Sequence, residues 1–273
     1  MRRLDARAIE LELSRLGASL GSPLAVAAET ASTNDDARSA AAAGAPHGAA
    51  FLADAQTQGR GRGGRSWHSP PGENLYLSVV LRPSLPASSV APIALVMGLA
   101  VASVVERRLA SSARLRAPGG GPLAEVRLKW PNDVLVGGRK LAGILVEAQL
   151  RGDSVSSVIV GVGLNVHTSR FPPELSARAT SLAMLGIDDV PREVLAAELL
   201  QALGDAAARF EAGRLAPFAE DLARMDWLRD RRVEVAGVAG VAAGIDAEGH
   251  LLVRGGDGVL RAVAAGEVSV TSG

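Results

Sequence analysis

The run VAPIALVMGLAVASVV at positions 90–105 leaves the chain few ways to fold. It is too short to cross a bilayer, which takes about 20 apolar residues, and Pro92, Gly98 and Ser103 interrupt it. A helix so apolar on every side must be covered all round. The run therefore predicts a helix over 92–109 at the centre of a large core. Hydrophobic residues at 48% and charged residues at 21% are ordinary globular usage and exclude a disordered or collagen-like chain. A length of 273 residues allows one large domain, or one large and one small.

Charge and cysteine usage remove several function classes. Twenty-nine basic residues balance twenty-nine acidic ones, which gives no general affinity for polyanions. No cysteine is present, so disulfides, thiol catalysis, Fe–S clusters and cysteine-containing zinc sites are excluded, and a cytoplasmic location is expected. His47, His68, His167 and His250 are too scattered to suggest a histidine-only metal site. Charges break up the N-terminal MRRLDARAIELEL, so it does not read as a signal peptide. Among the basic residues only Lys129 and Lys140 are lysines. Where arginine serves for every generic positive charge, two lysines so close together ask for a specific reason.

Periodicity predicts a helix over 5–16, a strand over 24–30, an alanine-rich helix over 33–43 and a strand over 49–55. Residues 56–72 read as a long glycine-rich loop and 75–81 as a strand. After a PGGGP segment at 118–122, residues 126–166 read as three or four strands joined by short turns. Helices are expected over 192–211 and around Phe218–Met225, and Val-rich runs over 232–270 suggest a small β barrel.

Five segments carry possible chemistry. The loop QTQGRGRGGRSWHS satisfies G-x-G-x-x-G at Gly59, Gly61 and Gly64, but Pro70, Pro71 and a strand follow where a dinucleotide fingerprint requires a helix. What remains is a glycine-rich loop with Arg60, Arg62 and Arg65, suited to phosphate or carboxylate, against the plainer reading of a solvated basic loop. KWPNDVLV at 129–136 reads as a turn between strands, which leaves Lys129 unexplained; Asn132 and Asp133 could also hold Mg²⁺ beside substrate phosphates. In GRKLAGILVE, Lys140 sits among apolar strand residues with Gly143 close by, either as a compact cation for one reacting oxygen or as a snorkelling edge lysine. Gly161 and Gly163 in VGVGLNV weaken a strand interior, which suggests a ligand or backbone packed against them, or a bulge; Asn165 follows. Ser32, Thr33 and Asn34 in ETASTND are accounted for by helix capping.

Taken in order, these five segments resemble the biotin protein ligases, also called biotin–[acetyl-CoA carboxylase] ligases, over roughly residues 24–271. The resemblance implies an α+β fold: a mixed sheet with helices on one face, like the catalytic domain of class II aminoacyl-tRNA synthetases, then an SH3-like barrel. It implies a catalytic domain over 1–228 and a barrel over 229–273. The implied reaction joins biotin and MgATP into biotinyl-5′-AMP, then transfers biotin to one lysine of a biotin carboxyl carrier domain. Residue by residue, Ser32, Thr33, Asn34 and Gln56 match the positions around the ureido ring. Gly59, Gly61, Trp67, Gly143, Gly161 and Gly163 match the biotin channel. Arg60 and Arg62 match the loop over biotin and the acyl phosphate. Arg62, Arg65, Asn132, Asp133 and Asn165 match the nucleotide side, with Asp133 towards Mg²⁺. Lys140, with Arg62, matches the catalytic positions, and Lys129 has a supporting place.

Some features depart from the family pattern. Gly63 and Ser66 stand where the family often carries charge, and the GGGP segment looks like an insertion. Family members that double as repressors carry a winged helix-turn-helix, but the stretch before Leu24 has room for one helix, so no sequence-specific DNA binding is expected. A lipoate or octanoyl ligase would lack the arginine loop and K-W-P-N-D. A nonspecific nucleic-acid binder is disfavoured by the neutral charge and scarce aromatics. No membrane association is expected. The family includes monomers and homodimers formed by sheet extension, so a homodimer is one expected state.

Overall fold

The computed structural model describes residues 3–111, 125–152 and 154–271. The GGGP segment read as an insertion lies outside the described residues. In chain order come α1 (Ala6–Leu16), β1 (Leu24–Ala27), α2 (Thr33–Ala42), β2 (Ala50–Ala53), β3 (Leu75–Leu81) and α3 (Ile93–Ser111). Then follow β4 (Val126–Lys129), β5 (Asp133–Val136), β6 (Arg139–Arg151) and β7 (Ser154–Leu164). These seven strands form one mixed sheet in the order β1-β2-β3-β7-β6-β5-β4, in which only β1 and β2 run parallel.

Strand alternation decides what each face carries. Leu77 and Val79 of β3 and Val160 and Val162 of β7 enter the large core shared with α1, α3 and α5 (Arg192–Gly213). The apolar run is the α3 helix, with twelve of its residues buried. No helix among the described residues is long and apolar enough to cross a membrane. The neighbours Val80 and Ile159 face the other way and pack with Ala37 and Ala41 of α2 in a small separate cluster. The three long helices thus take one face, and α2, whose alanines allow close approach, takes the other.

After α4 (Pro173–Ser176), α5 and α6 (Ala219–Met225) come β8 (Arg232–Val235), β9 (Val238–Ile245), β10 (Leu251–Arg254), β11 (Leu260–Val263) and β12 (Val268–Val270). They form an antiparallel sheet in the order β11-β10-β9-β8-β12, consistent with a small SH3-like barrel. Trp130 links the two sheets: its buried indole donates Nε1–H to the Gly249 carbonyl at 2.9 Å, between β9 and β10. Trp130→Phe removes that donor and leaves a buried acceptor unpaired, so it should cost about 1–3 kcal/mol in a urea titration. An unchanged midpoint would mean that the link adds nothing.

Candidate active site

Sheet register brings distant motifs onto the face that carries α2. Lys129 pairs with Asp133, Asp133 with Gly143, Gly143 with Gly163 and Gly163 with Tyr76, one row across five strands. The next row on this face holds Leu145, Gly161 and Ser78, and the one after it Glu147 and Ile159. A cleft of ≈430 Å³ lies over these rows, within the usual range of about 300–1,000 Å³ for ligand sites.

All five segments singled out in the sequence reach the cleft. It is lined by Ser32, Thr33, Asn34, Gln56, Arg60, Gly61, Arg62, Arg65, Trp67, Asn132, Asp133, Lys140, Gly143, Gly161, Gly163, Asn165 and Lys129. Gly59 is the site candidate that does not line it. A Cβ at Gly59 would stand 2.6 Å from Ser69 Oγ and 2.7 Å from the Trp67 carbonyl, so its role is to let the loop close. The two strand glycines also act differently from the expectation that ligand or backbone packs on them. The space beside Gly161 holds the Asn34 amide and that beside Gly163 the Trp67 indole.

Lys140 faces the cleft because β6 is irregular. In a regular strand Lys140 and Gly143, three apart, would point to opposite faces. The pairing with β5 shifts between Val134 and Leu135, leaving Leu141 as an extra residue, and such a bulge re-aims a side chain. Lys140 therefore joins Asp133 and Gly143 on one face. Its Nζ lies 2.7 Å from Asp133 Oδ1 and 5.2 Å from the centroid of the Trp67 ring. Its main chain is held by Arg178 and Thr180, a connection that no motif or spacing signals. Lys140 is thus no edge-strand lysine, since β6 runs between β5 and β7. Lys129 stands opposite Asp133, with Nζ 5.7 Å from the Trp227 ring. Burial pulls its ammonium below the usual lysine range, Asp133 opposes that shift, and Lys140 adds to it.

The arginine loop is a closed ladder. The Trp67 N–H donates to the Gly59 carbonyl and the Gly61 N–H to the Arg65 carbonyl. Gly63 and Gly64 take φ of +67° and +74°, the left-handed region where a bulkier residue is strained. That is a physical reason for glycine at position 63. The three arginines have separate partners. Arg60 gives its fork to Glu147 (3.1 and 2.9 Å) and Asp35 (2.8 Å), so its charge is already matched. Arg62 donates to the Gly266 carbonyl at 2.8 Å, and Arg65 pairs with Glu267 at 2.6 Å. Burial, then the neighbouring Arg65, lower the Arg62 pKa, yet a guanidinium stays charged.

The remaining polar groups are fixed by neighbours. Gln56 Oε1 accepts the Thr33 N–H at 2.9 Å, and Gln56 Nε2 donates to Ser69 Oγ. Ser32 begins α2 but makes no side-chain cap bond, so capping does not account for its hydroxyl. Asn132 clamps its turn to β6 by donating to the Ile144 carbonyl at 2.8 Å. Asn165 donates to the Thr180 carbonyl at 2.9 Å. Sequence reasoning missed Ser78, Glu147, Arg178, Trp227 and Glu267. For Glu147 a signal existed, since Gly143, Leu145 and Glu147 alternate onto one face and put a carboxylate on the same side of the sheet as the cleft. Outside the lining of the cleft, Asp246, Glu248 and His250 bring ligand atoms within 4.8 Å of one another, although Asp246 is already engaged in building the β9–β10 turn.

Comparison with known proteins agrees with this geometry. Residues 27–165 match the Biotin/lipoate A/B protein ligase family and residues 231–270 the Biotin protein ligase C terminal domain. The chain is 38% identical over 272 residues to the biotin–[acetyl-CoA-carboxylase] ligase of Mycobacterium tuberculosis, covering 97% of this chain and 95% of that protein. It is 34% identical over 230 residues to the bifunctional ligase/repressor BirA of Escherichia coli, covering 82% of this chain and 67% of that one. It spans 46% of the length of the corresponding Bacillus spizizenii protein. The structure of biotin protein ligase from Aquifex aeolicus in complex with biotin and ATP superposes with a TM-score of 0.74 at 27% identity, covering 91% of this chain and 98% of that one. Sequence, fold and the arrangement of the cleft together establish that this chain belongs to the biotin/lipoate A/B protein ligase family, among its biotin protein ligases.

Proposed function

We propose that the chain ligates biotin to a lysine of a biotin carboxyl carrier domain, using ATP and passing through biotinyl-5′-AMP. One observation carries this reading. Lys140, paired to Asp133 and stacked on Trp67, stands in a cleft that also holds neutral hydrogen-bonding groups, Thr33 and Gln56, and the cations Arg62, Arg65 and Lys129. A neutral ureido ring suits the first set and a triphosphate the second, which leaves Lys140 for the point where the two anions meet. In the first step a biotin carboxylate oxygen bonds to the α-phosphorus, and the bond to the β-phosphate bridging oxygen breaks to release pyrophosphate. Lys140 stabilises the negative charge that gathers there. In the second step the carrier amine attacks the acyl carbon, loses a proton to form the amide, and AMP departs.

Mg²⁺ fits the donor set, since Asp133 supplies a carboxylate beside the Asn132 amide and the phosphates supply the rest. Bound there with ATP, it would neutralise phosphate charge. We place the domain boundary at 228/229, between α6 and β8, and the protein in the cytoplasm, which suits a chain without cysteine. The test offers biotin, ATP, Mg²⁺ and a purified carrier domain, and reads the carrier's mass. One biotinyl addition is expected, and none with lipoate. Lipoylation in place of biotinylation would transfer the chain to the other branch of the family.

The loop contacts suggest a separate result. Arg62 bridges the loop and Gly266, and both Arg62 and the adjoining Glu267 line the cleft. Arg62→Ala should release biotinyl-AMP about 10–100-fold faster, as expected when a charge-assisted bond is lost. A chase of labelled adenylate measures this, and equal rates for variant and parent would remove Arg62 as the latch.

A further inference from the structure

Glu147 closes the GRKLAGILVE segment, where the sequence assigns it no role, yet a chain of hydrogen bonds starts from it and runs to the floor of the cleft. Its Oε2 accepts Asn34 Nδ2–H at 2.8 Å. Asn34 Oδ1 lies 2.7 Å from Ser78 Oγ, Ser78 Oγ lies 2.8 Å from Thr33 Oγ1, and Thr33 Oγ1 lies 3.2 Å from Gln56 Oε1. Ser78, Thr33 and Asn34 are all buried, so these groups must satisfy one another. Arg60 and, at 3.9 Å, Arg38 complete the charge around Glu147, and both also pair with Asp35.

Counting protons fixes the direction of the chain. A carboxylate only accepts, so Asn34 must turn its NH₂ to Glu147 and its oxygen to Ser78. Ser78 has one proton, and an amide oxygen can only accept, so that proton goes to Asn34. The 2.8 Å contact between Ser78 and Thr33 must then be donated by Thr33. This leaves Thr33 Oγ1 and Gln56 Oε1 side by side at 3.2 Å as two acceptors, with the Thr33 N–H their one donor on the protein side. Both residues line the cleft. Such a pair calls for an N–H from the ligand.

We propose that Glu147 is the positioning residue that polarises this chain, so that the Thr33–Gln56 end of the cleft accepts a hydrogen bond and selects a neutral ligand headgroup carrying an N–H, such as a cyclic urea. The proposal rests on the biotin reading and adds how the headgroup is chosen. Reversing the chain shows what is at stake. A glutamine at 147 offers one acceptor and an NH₂ to partners that are all donors. The Asn34 amide can then flip and donate to Ser78, Ser78 to Thr33, and Thr33 to Gln56, and the acceptor pair is lost.

The test compares binding of biotin and of biotin methylated on its ureido nitrogens, by titration calorimetry, in the parent and in Glu147→Gln. The parent should prefer biotin. In Glu147→Gln biotin affinity should fall about tenfold, the size of one hydrogen bond to a buried partner, while the methylated analogue falls less and the preference narrows. The KM for ATP should stay unchanged. In a double variant with Asn34→Ala, Glu147→Gln should add no further loss, because it acts through Asn34. Equal losses for both ligands, or none, would overturn the proposal, as would additive losses in the double variant. A parent that biotinylates a carrier but fails this comparison refutes the role of Glu147 alone. A parent that binds no biotin refutes the functional reading and the proposal with it.

Discussion

Lys140→Arg is expected to slow biotinyl-AMP formation by about 10²–10³, the usual effect of losing one transition-state electrostatic contact, while the fold is kept. The geometry says why a conserved charge does not suffice. Lys140 reaches Asp133 with a single N–H at 2.7 Å, and its end lies close to both the Trp67 ring and Gly143. An ammonium there can turn another donor towards a substrate oxygen. A guanidinium is broad and planar and prefers a two-pronged bond to a carboxylate. Arginine at 140 would lock onto Asp133, which preserves folding and holds the charge away from the reacting oxygens. Pyrophosphate release in a single turnover reads the first step, and carrier biotinylation from synthetic biotinyl-AMP reads the second. The second should suffer less, because the acyl–phosphate bond already exists. Equal slowing of both steps would make Lys140 a residue of the whole site, and no slowing of either would end its catalytic assignment.

Lys140 also marks the limit of what the sequence made legible. Its rarity in an arginine-rich chain singled it out, but its direction did not follow from spacing. Alternation places Lys140 and Gly143 on opposite faces, and the extra residue at Leu141 that reunites them leaves no mark in the apolar pattern. The elements themselves were legible because their causes are local. The unbroken apolar run made α3, glycine and proline bounded the strands, and the change of period at residue 126 announced β4 to β7. What could not be read depends on register. Ser78 looks like one more residue of LYLSVVL, and Glu147 like the polar end of an apolar strand. They meet Asn34 from 44 and 113 residues away because β3, β7 and β6 pair as they do. The arginine loop was legible as a charged glycine-rich segment, but the division of labour among Arg60, Arg62 and Arg65 depends on Glu147, Gly266 and Glu267, which the loop's own sequence does not contain.

Gly163→Ala should reduce adenylate formation about 100-fold, as a misplacement of about 1 Å at a reacting site can do. The backbone at Gly163 is not left-handed, so alanine adds no strain of its own there. The effect must come from approach. A Cβ at this position would lie 2.4 Å from Trp67 Cε2 and 2.6 Å from Nε1, where ordinary contact needs more than 3.4 Å. The indole must therefore lift by about 1 Å or tilt. It is not free to do so without consequence, because the Lys140 ammonium lies over the ring and both lie beside Gly143. The Trp67 Nε1–H has no partner in this position, so no hydrogen bond holds the ring, and contact with Gly163 and Gly143 places it. A single methyl group thus separates two accounts of these strand glycines. If the bare strand is a seat for Trp67, Gly163→Ala lowers the rate, and a smaller ring in Gly163→Ala/Trp67→Phe recovers part of it, with thermal unfolding of both variants close to the parent's. If the glycine is merely a weak point in β7, alanine should stabilise the strand and leave the rate alone, and the double variant should be no better than Trp67→Phe by itself.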